Sequence, residues 1–373
     1  MDFDLSEEQA ELQRTVRTVL EEQCPLSLVR EVVENGSTVD QPWKSATDLG
    51  WTAVTVPEAF GGLGLGFEEL GLMVEEHGRA LAPGPFVATT TQFQPVIREA
   101  GSVAQQEQFL SAIAAGELTG ALAIGNENGT GLVVDASLAA FPEGDGFRLN
   151  GQRCFVLDGS TADELLAVAR IASGDGVGLF VVPRDAVKVE KLESLDASRP
   201  LVTLSFENVA VGSDRILGTP GESAEALERA LDEARVASAL ETVGACQALL
   251  DITVAHAKQR IQFGRPIGSF QAVQHKCADM LLAVEKARAV AYFAMMTIGE
   301  DDARRRLAAS MAKAAAGDCQ RLVTQDAIQI HGGTGFTWEC DVHLFVKRAK
   351  TNAALLGSAA EHRARIADLL EAG

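Results

Sequence analysis

The stretch RIQFGRPIGSFQ, residues 260–271, connects two long segments of helical composition and gives the first indication of the fold. It combines a cationic group at Arg260, an aromatic ring at Phe263, a glycine turn, and an amide at Gln271 near the start of the next helix. Arginine pairs with phosphates, and the free N–H groups of a helix N-terminus bind phosphate oxygens. The stretch is therefore a candidate site for an anionic dinucleotide. A plain interhelical turn with a solvated arginine is the alternative.

A second glycine-rich stretch, QIHGGTGFTWE at residues 329–339, begins where another helical segment ends. Because glycine has no Cβ, Gly332 and Gly333 allow a ligand to approach the backbone closely. Taken alone, this stretch is equally compatible with a tight connection between two helices.

Outward from these two stretches, the chain divides into three regions. Residues 1–117 carry apolar side chains at helical spacing, with Ser6 as the predicted N-cap of the first helix. Residues 118–222 contain short runs of Val, Ile, Leu and Phe separated by Gly, Asp, Asn and Pro, which is typical of an antiparallel β-domain. Residues 223–373 return to long helices. The predicted fold class is mostly α with a middle β-domain.

The C-terminal region is predicted to form four helices, which suggests a four-helix bundle. Glycine-containing breaks separate the segments, at Phe263–Gly268, at Gly299 and at Gly332–Gly335. The predicted helical segments are 223–260, 267–299, 302–331 and 340–371.

Charge and composition exclude several classes of function. The 32 basic and 52 acidic residues give a net charge of −20 at pH 7, which disfavours nucleic acid and anionic membranes as partners. No run of about 18 apolar residues is present, and the N-terminus lacks the features of a signal peptide, so we expect a cytoplasmic protein. The six cysteines form no CxxC pair, so neither a metal site nor a disulfide framework is predicted.

Together, and at this spacing, the two stretches resemble the acyl-CoA dehydrogenase family, and the likeness covers essentially the whole chain. Residues 56–64 (VPEAFGGLG) resemble that family's PEEYGGxG loop, and residues 151–159 (GQRCFVLDG) resemble its GxKxWITNG segment. Residues 206–218 resemble the FxxVxVP…LG close of its β-domain. Five dispersed segments in the right order are a specific signal, whereas any one of them alone is weak.

The resemblance implies an N-terminal helical domain, a β-barrel-like middle domain and a C-terminal four-helix bundle, with FAD between the last two. Phe155 corresponds to the residue that lies against the flavin. In the family, the adenine and pyrophosphate of FAD are held partly across a subunit interface. The residues that correspond to this part of the site are Arg260, Phe263, Gln271, Gln329, Gly332 and Gly333.

The implied reaction is α,β-desaturation of an acyl-CoA thioester, in which a base removes the α-proton while FAD takes the β-hydride. The implied partner is an electron-transfer flavoprotein or a similar acceptor, and the implied assembly is a homo-oligomer or a hetero-oligomer with a homologous chain. The stretch from His331 to Arg348 also resembles bacterial members that act on bulky acyl-CoAs, including steroid-derived thioesters.

Both positions at which the family carries its catalytic glutamate hold other residues here. Counted without gaps from Gln329, the family's YEGT motif falls on residues 355–358, which places Leu356 at the glutamate. The other position, in a motif like LxxER, holds Ala234, followed by the matching Arg235. Neither leucine nor alanine can take a proton. Arg235 is predicted to bind substrate.

Glu241 is the predicted catalytic base. It follows Ala234 by seven residues, which places it within about 20° of the same helix face and about 10 Å further along the axis. Its apolar sequence context predicts burial, and a buried carboxylate with a raised pKa is suited to proton transfer. The alternative is a structural glutamate paired with an arginine across the bundle. Glu233, turned about 100° away from the base position, is the weaker candidate.

Two functions remain open from the sequence. In the first, the chain is an active dehydrogenase whose base is Glu241 or comes from a partner chain. In the second, it is a catalytically silent subunit that completes an FAD site at the interface with a catalytic homologue. The missing glutamate favours the second function, whereas the dinucleotide residues are compatible with both.

Overall fold

The computed structural model describes residues 5–36, 40–127, 129, 134–174 and 176–372, and it confirms the predicted order of helices, β-domain and long helices. The N-terminal helices are α1 (Glu7–Gln23), α2 (Leu26–Asn35), α3 (Gln41–Asp48), α4 (Phe67–Ala80), α5 (Phe86–Ala88), α6 (Gln94–Ala100) and α7 (Val103–Ala114). A π-helical turn connects α5 to α6.

Helix α1 begins directly after Ser6, the N-cap that the sequence predicts. The Ser6 side chain accepts a hydrogen bond from the Gln9 N–H at 3.1 Å, and the Gln9 side chain accepts one from the Ser6 N–H at 3.2 Å. This capping box satisfies two amide groups that have no partner within the helix. The prediction of Ser6 as the N-cap is confirmed.

The strands of the β-domain are β1 (Gly120–Ala123), β2 (Leu138–Glu143), β3 (Gly146–Leu157), β4 (Glu164–Ile171), β5 (Val177–Pro183), β6 (Lys188–Lys191), β7 (Leu201–Val211) and β8 (Ile216–Leu217). They form one eight-stranded sheet with the order β6-β7-β3-β2-β4-β5-β8, in which β1 pairs with β4 off this path. Strand β4 pairs in parallel with β1 near its start and with β2 near its end, whereas β3–β7 and β4–β5 are antiparallel. The prediction of an antiparallel domain is therefore wrong for two pairs. Neither pair is joined by a tight hairpin, so no turn dictates an antiparallel direction.

The C-terminal region contains the long helices of the predicted bundle. A tight antiparallel hairpin, β9 (Ile261–Gln262) and β10 (Arg265–Pro266), connects the first two of them. The helices are α8 (Ala224–Gln259), α9 (Gln271–Gly299), α10 (Arg305–His331), α11 (Val342–Ala354) and α12 (Ala359–Ala372).

The predicted fourth segment, 340–371, is two helices in the structure, and the single-helix prediction is wrong. Between α11 and α12, Leu356 adopts a left-handed φ of 58° and Gly357 a φ of 98°. Ser358 and Glu361 then form a capping box at the start of α12. Helix composition continues across this point, so only the glycine and the S-x-x-E pattern signal the break.

Helix α8 is buried along most of its length and crosses α4 with the two backbones in direct contact. A Cβ at Gly78 would lie 2.0 Å from the carbonyl oxygen of Glu241, and one at Gly244 would lie 1.9 Å from that of Glu75. Only glycine fits at both positions. The crossing fixes Glu241 against the N-terminal helices.

Apolar side chains form separate cores between α4, α8 and α10, among the helices of the bundle, and within the sheet. Burying one Leu, Val or Phe side chain stabilises the fold by about 1.5–3 kcal/mol. Another core, in which side chains of α6, β4 and α8 pack together, joins the β-domain to both helical regions, so that the three regions form one folded body. In the part of the chain that the structure describes, no helix is long and apolar enough to cross a bilayer.

Candidate functional site

The 260–271 stretch lies at the end of the bundle where α8 turns into α9. Arg260 caps α8, and the β9–β10 hairpin presents Phe263, which has a φ of 52° and is 91% exposed. The Arg265 guanidinium lies 4.1 Å from the centre of the Phe270 ring, in a cation–π contact that orders the turn. Arg260 and Gln271 are also exposed. An exposed aromatic ring beside an exposed arginine is suited to stacking and phosphate binding.

The 329–333 stretch lies beside the first one. The rings of His256 on α8 and His331 on α10 stack with their centroids 4.2 Å apart, which brings the two stretches together. Gln329, Gly332 and Gly333 are exposed, and a Cβ at either glycine would meet no atom within 4 Å. The backbone here is open to a ligand. We call the surface formed by Arg260, Phe263, Gln271, Gln329, Gly332 and Gly333 the open end.

The first turns of α8 pack against the connection between α11 and α12. Leu356 is 5% exposed and lies in one apolar cluster with Leu231 and Ala234 of α8. The two positions at which the resemblance predicts the base are thus neighbours in a core of apolar side chains.

A smaller apolar cluster connects this region to the β-domain. Leu355 packs with Leu157 and Leu201, and the half-buried Phe155 contacts the same cluster with a φ of 56°. Phe155 therefore lies at the junction of β-domain and bundle, which is where the resemblance expects the flavin. We call the surface formed by Phe155, Leu157, Ala234, Leu355 and Leu356 the closed end.

Two buried basic side chains hold the turn of the closed end. Lys313 Nζ donates to the last carbonyls of α11 at 2.7 and 2.8 Å, and His362 Nε2 donates to the Leu356 carbonyl at 2.8 Å. Burial, reinforced by the nearby Arg235, lowers the pKa of Lys313 to about 7. Burial lowers the pKa of His362 to about 4, so this ring is neutral at pH 7. The lysine satisfies carbonyl groups that the helix end leaves without a partner.

Arg235, the predicted substrate-binding residue, is buried beside the closed end. Its Nη1 donates to Glu228 at 3.0 Å and to Asp232 at 3.2 Å. Although burial opposes ionisation, Arg235 and Arg365 hold the pKa of Glu228 at about 2. The Nε and Nη2 groups of Arg235 have no hydrogen-bond partner among the described residues. Arg235 thus retains the capacity to bind one more acceptor, and its contact with substrate stays a prediction.

Glu241, the predicted base, is 1% exposed, but its carboxylate lies among charged and polar groups. Its Oε2 accepts hydrogen bonds from Arg199 at 2.8 Å and Asn352 at 3.0 Å, and its Oε1 accepts one from Arg348 at 3.1 Å. Both oxygens are engaged by donors of the protein itself. Proton abstraction would require the carboxylate to leave these donors. This geometry favours the alternative interpretation, a structural glutamate paired with arginines.

Arg348 joins this group of charges to the β-domain. Its Nε donates to Asp196 at 2.6 Å, and its Nη2 donates to Ser198 Oγ at 2.8 Å. Asp196 and Arg199 come from the loop before β7, whereas the other two members come from α8 and α11. We call the group Asp196, Arg199, Glu241 and Arg348 the ionic cluster.

Sequence reasoning missed Arg348, although a signal for it exists. Arg348 follows Leu344 by four residues and Phe345 by three, so it lies on the same face of α11 as two buried apolar residues. An arginine on a buried helix face requires buried acceptors.

Glu233, the weaker candidate base, also has arginine partners. Its Oε1 accepts a short hydrogen bond from Arg98, and Arg305 lies 3.8 Å away. Both carboxylates that the sequence singles out are therefore neutralised within this chain.

Sequence and fold both match one family. Residues 6–117 match the acyl-CoA dehydrogenase N-terminal domain, and residues 224–370 match the acyl-CoA dehydrogenase C-terminal domain. The chain is 31% identical over 364 residues to acyl-CoA dehydrogenase IpdE2 of Mycolicibacterium smegmatis, across 97% of this chain and 98% of that relative. The chain belongs to the acyl-CoA dehydrogenase family.

Two solved structures show how closely this acyl-CoA dehydrogenase follows the family fold. A variant of the Tcur3481–Tcur3483 steroid acyl-CoA dehydrogenase superposes with a TM-score of 0.88, at 31% identity and over 98% of each chain. The ChsE4–ChsE5 complex from Mycobacterium tuberculosis superposes with a TM-score of 0.90, at 26% identity, over 100% of this chain and 99% of that one. The name of each of these two structures joins two protein designations.

Members of the acyl-CoA dehydrogenase family are FAD-dependent oxidoreductases, and flavin-dependent dehydrogenation of acyl-CoA is the chemistry that membership assigns to this chain. The cofactor, when bound, accepts the hydride from the acyl group. The open end fits its dinucleotide half, because it offers an exposed arginine, an exposed ring and backbone without Cβ atoms. The closed end instead offers apolar side chains, Leu157 and Leu355 among them, that pack on one another.

The two ends of this acyl-CoA dehydrogenase are far apart along α8. Arg260 follows Ala234 by 26 residues, so at about 1.5 Å per residue the two are separated by about 39 Å. The open end and Ala234 of the closed end therefore lie toward opposite ends of α8.

Proposed function

We propose that this chain acts in acyl-CoA dehydrogenation as the FAD-completing subunit of a hetero-oligomer, and that a homologous partner chain supplies the catalytic base. The open end binds the adenine and pyrophosphate of an FAD molecule whose flavin half lies in the partner. The observation that carries the proposal is the contrast between an exposed open end and a closed end whose two base positions hold Ala234 and Leu356.

Charge at the open end supports cofactor binding there. The chain as a whole carries a net charge of −20, yet Lys258, Arg260 and Arg265 lie within eight positions of each other and are all exposed. A local excess of positive charge on an acidic protein favours a phosphate group at that place.

The hydrogen bonds of the two candidate carboxylates support a catalytic base that comes from another chain. Glu241 is held by two arginines and an asparagine, and Glu233 by Arg98 and Arg305. A general base must come within hydrogen-bond reach of the proton that it takes. Neither side chain can do so while it keeps these partners, so a partner chain is the better source.

The relatives support an assembly of unlike chains and a bulky substrate. ChsE4–ChsE5 is a complex, and the Tcur3481–Tcur3483 protein is described as a steroid acyl-CoA dehydrogenase. By analogy, the substrate of the assembly is a bulky, steroid-like acyl-CoA, bound in the partner chain beside the flavin and the base. An electron-transfer flavoprotein or a similar acceptor receives the electrons.

Flavin spectra test the proposal. The chain is purified alone and together with a homologue that carries the YEGT glutamate, and each sample is mixed with a panel of acyl-CoAs. We expect the chain alone to hold little FAD and to show no bleaching, and we expect the complex to be yellow and to bleach with one of the thioesters. A yellow homo-oligomer that bleaches with an acyl-CoA would contradict the proposal and restore the active-enzyme interpretation.

A further inference from the structure

Two stacked histidine rings lie where both stretches of the open end begin. The ring centroids of His256 on α8 and His331 on α10 are 4.2 Å apart, with 24° between the ring planes. Each ring belongs to the last turn of its helix. The Arg260 N–H donates to the His256 carbonyl at 2.8 Å, and Gly332 directly follows His331. We call His256 and His331 the histidine pair.

Three of the four ring nitrogens of the histidine pair are unengaged and reachable. Nδ1 of His331 lies 2.8 Å from the Ala327 carbonyl, which can only accept, so this nitrogen carries a proton. Within the part of the chain that the structure describes, no hydrogen bond engages Nε2 of His331 or either nitrogen of His256, and none of these three atoms is buried. His256 is half-buried, whereas His331 is only 8% exposed. His256 is therefore the ring that can take up a proton and donate it to a ligand.

The surroundings of His256 contain bases and no acid. The charges that act on its ring come from Arg260 of α8 and His331 of α10. Among the described residues, no carboxylate acts on it, and no ionisable group of α9 or α11 does. Lys258 and Arg265 add two exposed cations nearby in sequence. In a chain with 52 acidic and 32 basic residues, a group of bases without a carboxylate indicates a place for an anionic ligand.

The helix ends at this surface explain why additional positive charge is needed. The open end joins the N-terminus of one helix, α9, to the C-termini of two, α8 and α10. The C-terminus of a helix carries a negative partial charge, which repels a phosphate group and stabilises a protonated imidazole in the last turn. A proton on the histidine pair therefore offsets the two unfavourable helix ends.

We propose that the histidine pair is a proton-linked phosphate-binding element of the open end. When the pyrophosphate of an adenine dinucleotide binds, His256 takes up one proton from solvent and donates a hydrogen bond to a phosphate oxygen. His331 stacks on that ring and holds it in place. The identity of the ligand rests on the proposed function, in which the open end binds the adenine and pyrophosphate of FAD.

The proposal fixes the sign of the pH dependence. Burial, reinforced by His331 and Arg260, lowers the pKa of His256 in the unliganded chain. A bound phosphate raises that pKa, because an opposite charge at hydrogen-bond distance favours the imidazolium form. Affinity is therefore greatest below the pKa of the unliganded chain, and it falls as the pH rises toward the higher pKa of the complex. Each unit between the two pKa values corresponds to about a tenfold change in affinity.

Calorimetric titration of the full chain with ADP-ribose tests the histidine pair without a partner chain. ADP-ribose carries the adenine and pyrophosphate of FAD without the flavin, and its pyrophosphate stays fully ionised from pH 6 to pH 8. The probe is used in the millimolar range, because the chain alone supplies only part of the FAD site. The informative variants are His256→Phe, which keeps a stacking ring, and His256→Gln, which keeps a polar side chain. The control is His343→Gln, which removes a ring that stacks on Trp338 instead.

We expect the wild-type chain to bind ADP-ribose about tenfold more tightly at pH 6 than at pH 8. At pH 7 it should take up about half a proton or more, measured as the difference in heat between PIPES and Tris buffers. H256F and H256Q should differ by less than about threefold between the two pH values, and H343Q should keep the wild-type dependence. Thermal unfolding establishes that each variant is folded.

Two results would overturn the proton link and leave the open end as a dinucleotide site. One is binding of ADP-ribose that does not change with pH, and the other is the same change with pH in wild type and in folded H256F and H256Q. Absence of ADP-ribose binding at both pH values would overturn the open end as a cofactor site, and the proton link with it.

Discussion

The open end and the closed end of the bundle are both connections between helices, yet they differ in what their side chains can still bind. At the open end Phe263 is 91% exposed and the backbone at Gly332 and Gly333 is uncovered. At the closed end Leu356 is 5% exposed and packs against Ala234. Under the proposed function, the chain keeps a surface suited to a dinucleotide, while its two predicted base positions hold apolar side chains.

The largest effect on stability is expected from replacement of Glu241, whose buried carboxylate belongs to the ionic cluster. Glu241→Gln leaves two buried arginines facing a neutral amide, so the free energy of unfolding should fall by about 3–5 kcal/mol in urea titrations. Glu225→Gln is the matched control on α8, because Glu225 forms an exposed ion pair with Arg306, and its effect should stay below about 1 kcal/mol. An unchanged stability for E241Q, combined with a large loss of flavin reduction in the complex, would identify Glu241 as the base.

The ionic cluster also marks the limit of what the sequence can predict. Arg199 and Arg348 are 42 and 107 residues away from Glu241 along the chain. No local pattern connects residues so far apart, and only the packing of the β-domain loop against α8 and α11 brings them together. The sequence placed Glu241 in a buried position correctly, but it could not say which charges share that position.

Features with local signals were predictable to different degrees. The order of helices and strands follows from periodicity, and the two stretches of the open end are each short and continuous in sequence. The break at Leu356 had its signal in Gly357 and in the capping box that begins at Ser358. The parallel pairing of β1 with β4 had none, because those strands are separated by two others.

The second prediction concerns the open end. Arg260→Ala removes a charge-assisted contact to the pyrophosphate, of a kind worth about 1.5–3 kcal/mol, so FAD should bind the complex about ten- to hundredfold more weakly. The control is Arg363→Ala, which removes another exposed arginine, one on α12 that is paired with Asp318. It should leave FAD binding unchanged. FAD content is measured by absorbance after gel filtration. Full retention of FAD in R260A would remove the open end from the cofactor site.

The third prediction concerns the lysine that holds the closed end. Because burial lowers the pKa of Lys313 to about 7, the unfolded chain binds more protons than the folded chain between pH 7 and about 10. Stability of the wild type should therefore rise with pH, by about 2 kcal/mol from pH 7 to pH 9. Lys313→Met keeps the length of the side chain and should lose this rise. Urea titrations of both proteins at pH 7 and pH 9 measure the change in stability. An equal rise in both proteins would show that a group other than Lys313 causes it.

The smallest effect on stability is expected at Ser358, which caps α12 directly after the closed end. Ser358→Ala removes the side chain that accepts from the Glu361 N–H at 3.3 Å, which should lower the free energy of unfolding by about 1 kcal/mol. FAD binding by the complex should not change, because the open end lies at the other end of the bundle. A loss of FAD in this variant would show that the two ends are coupled.

The ratio of FAD to protein chains in the purified hetero-oligomer tests the central claim most directly. The open end of this chain and the flavin-binding part of the partner form one complete FAD site. The partner's open end, by contrast, meets the closed end of this chain, which Leu157, Leu355 and Leu356 fill. We therefore expect one FAD for every two chains, measured by flavin absorbance after the cofactor is released from a complex of known protein concentration. One FAD for every chain would contradict it, because the closed end would then bind a cofactor as well.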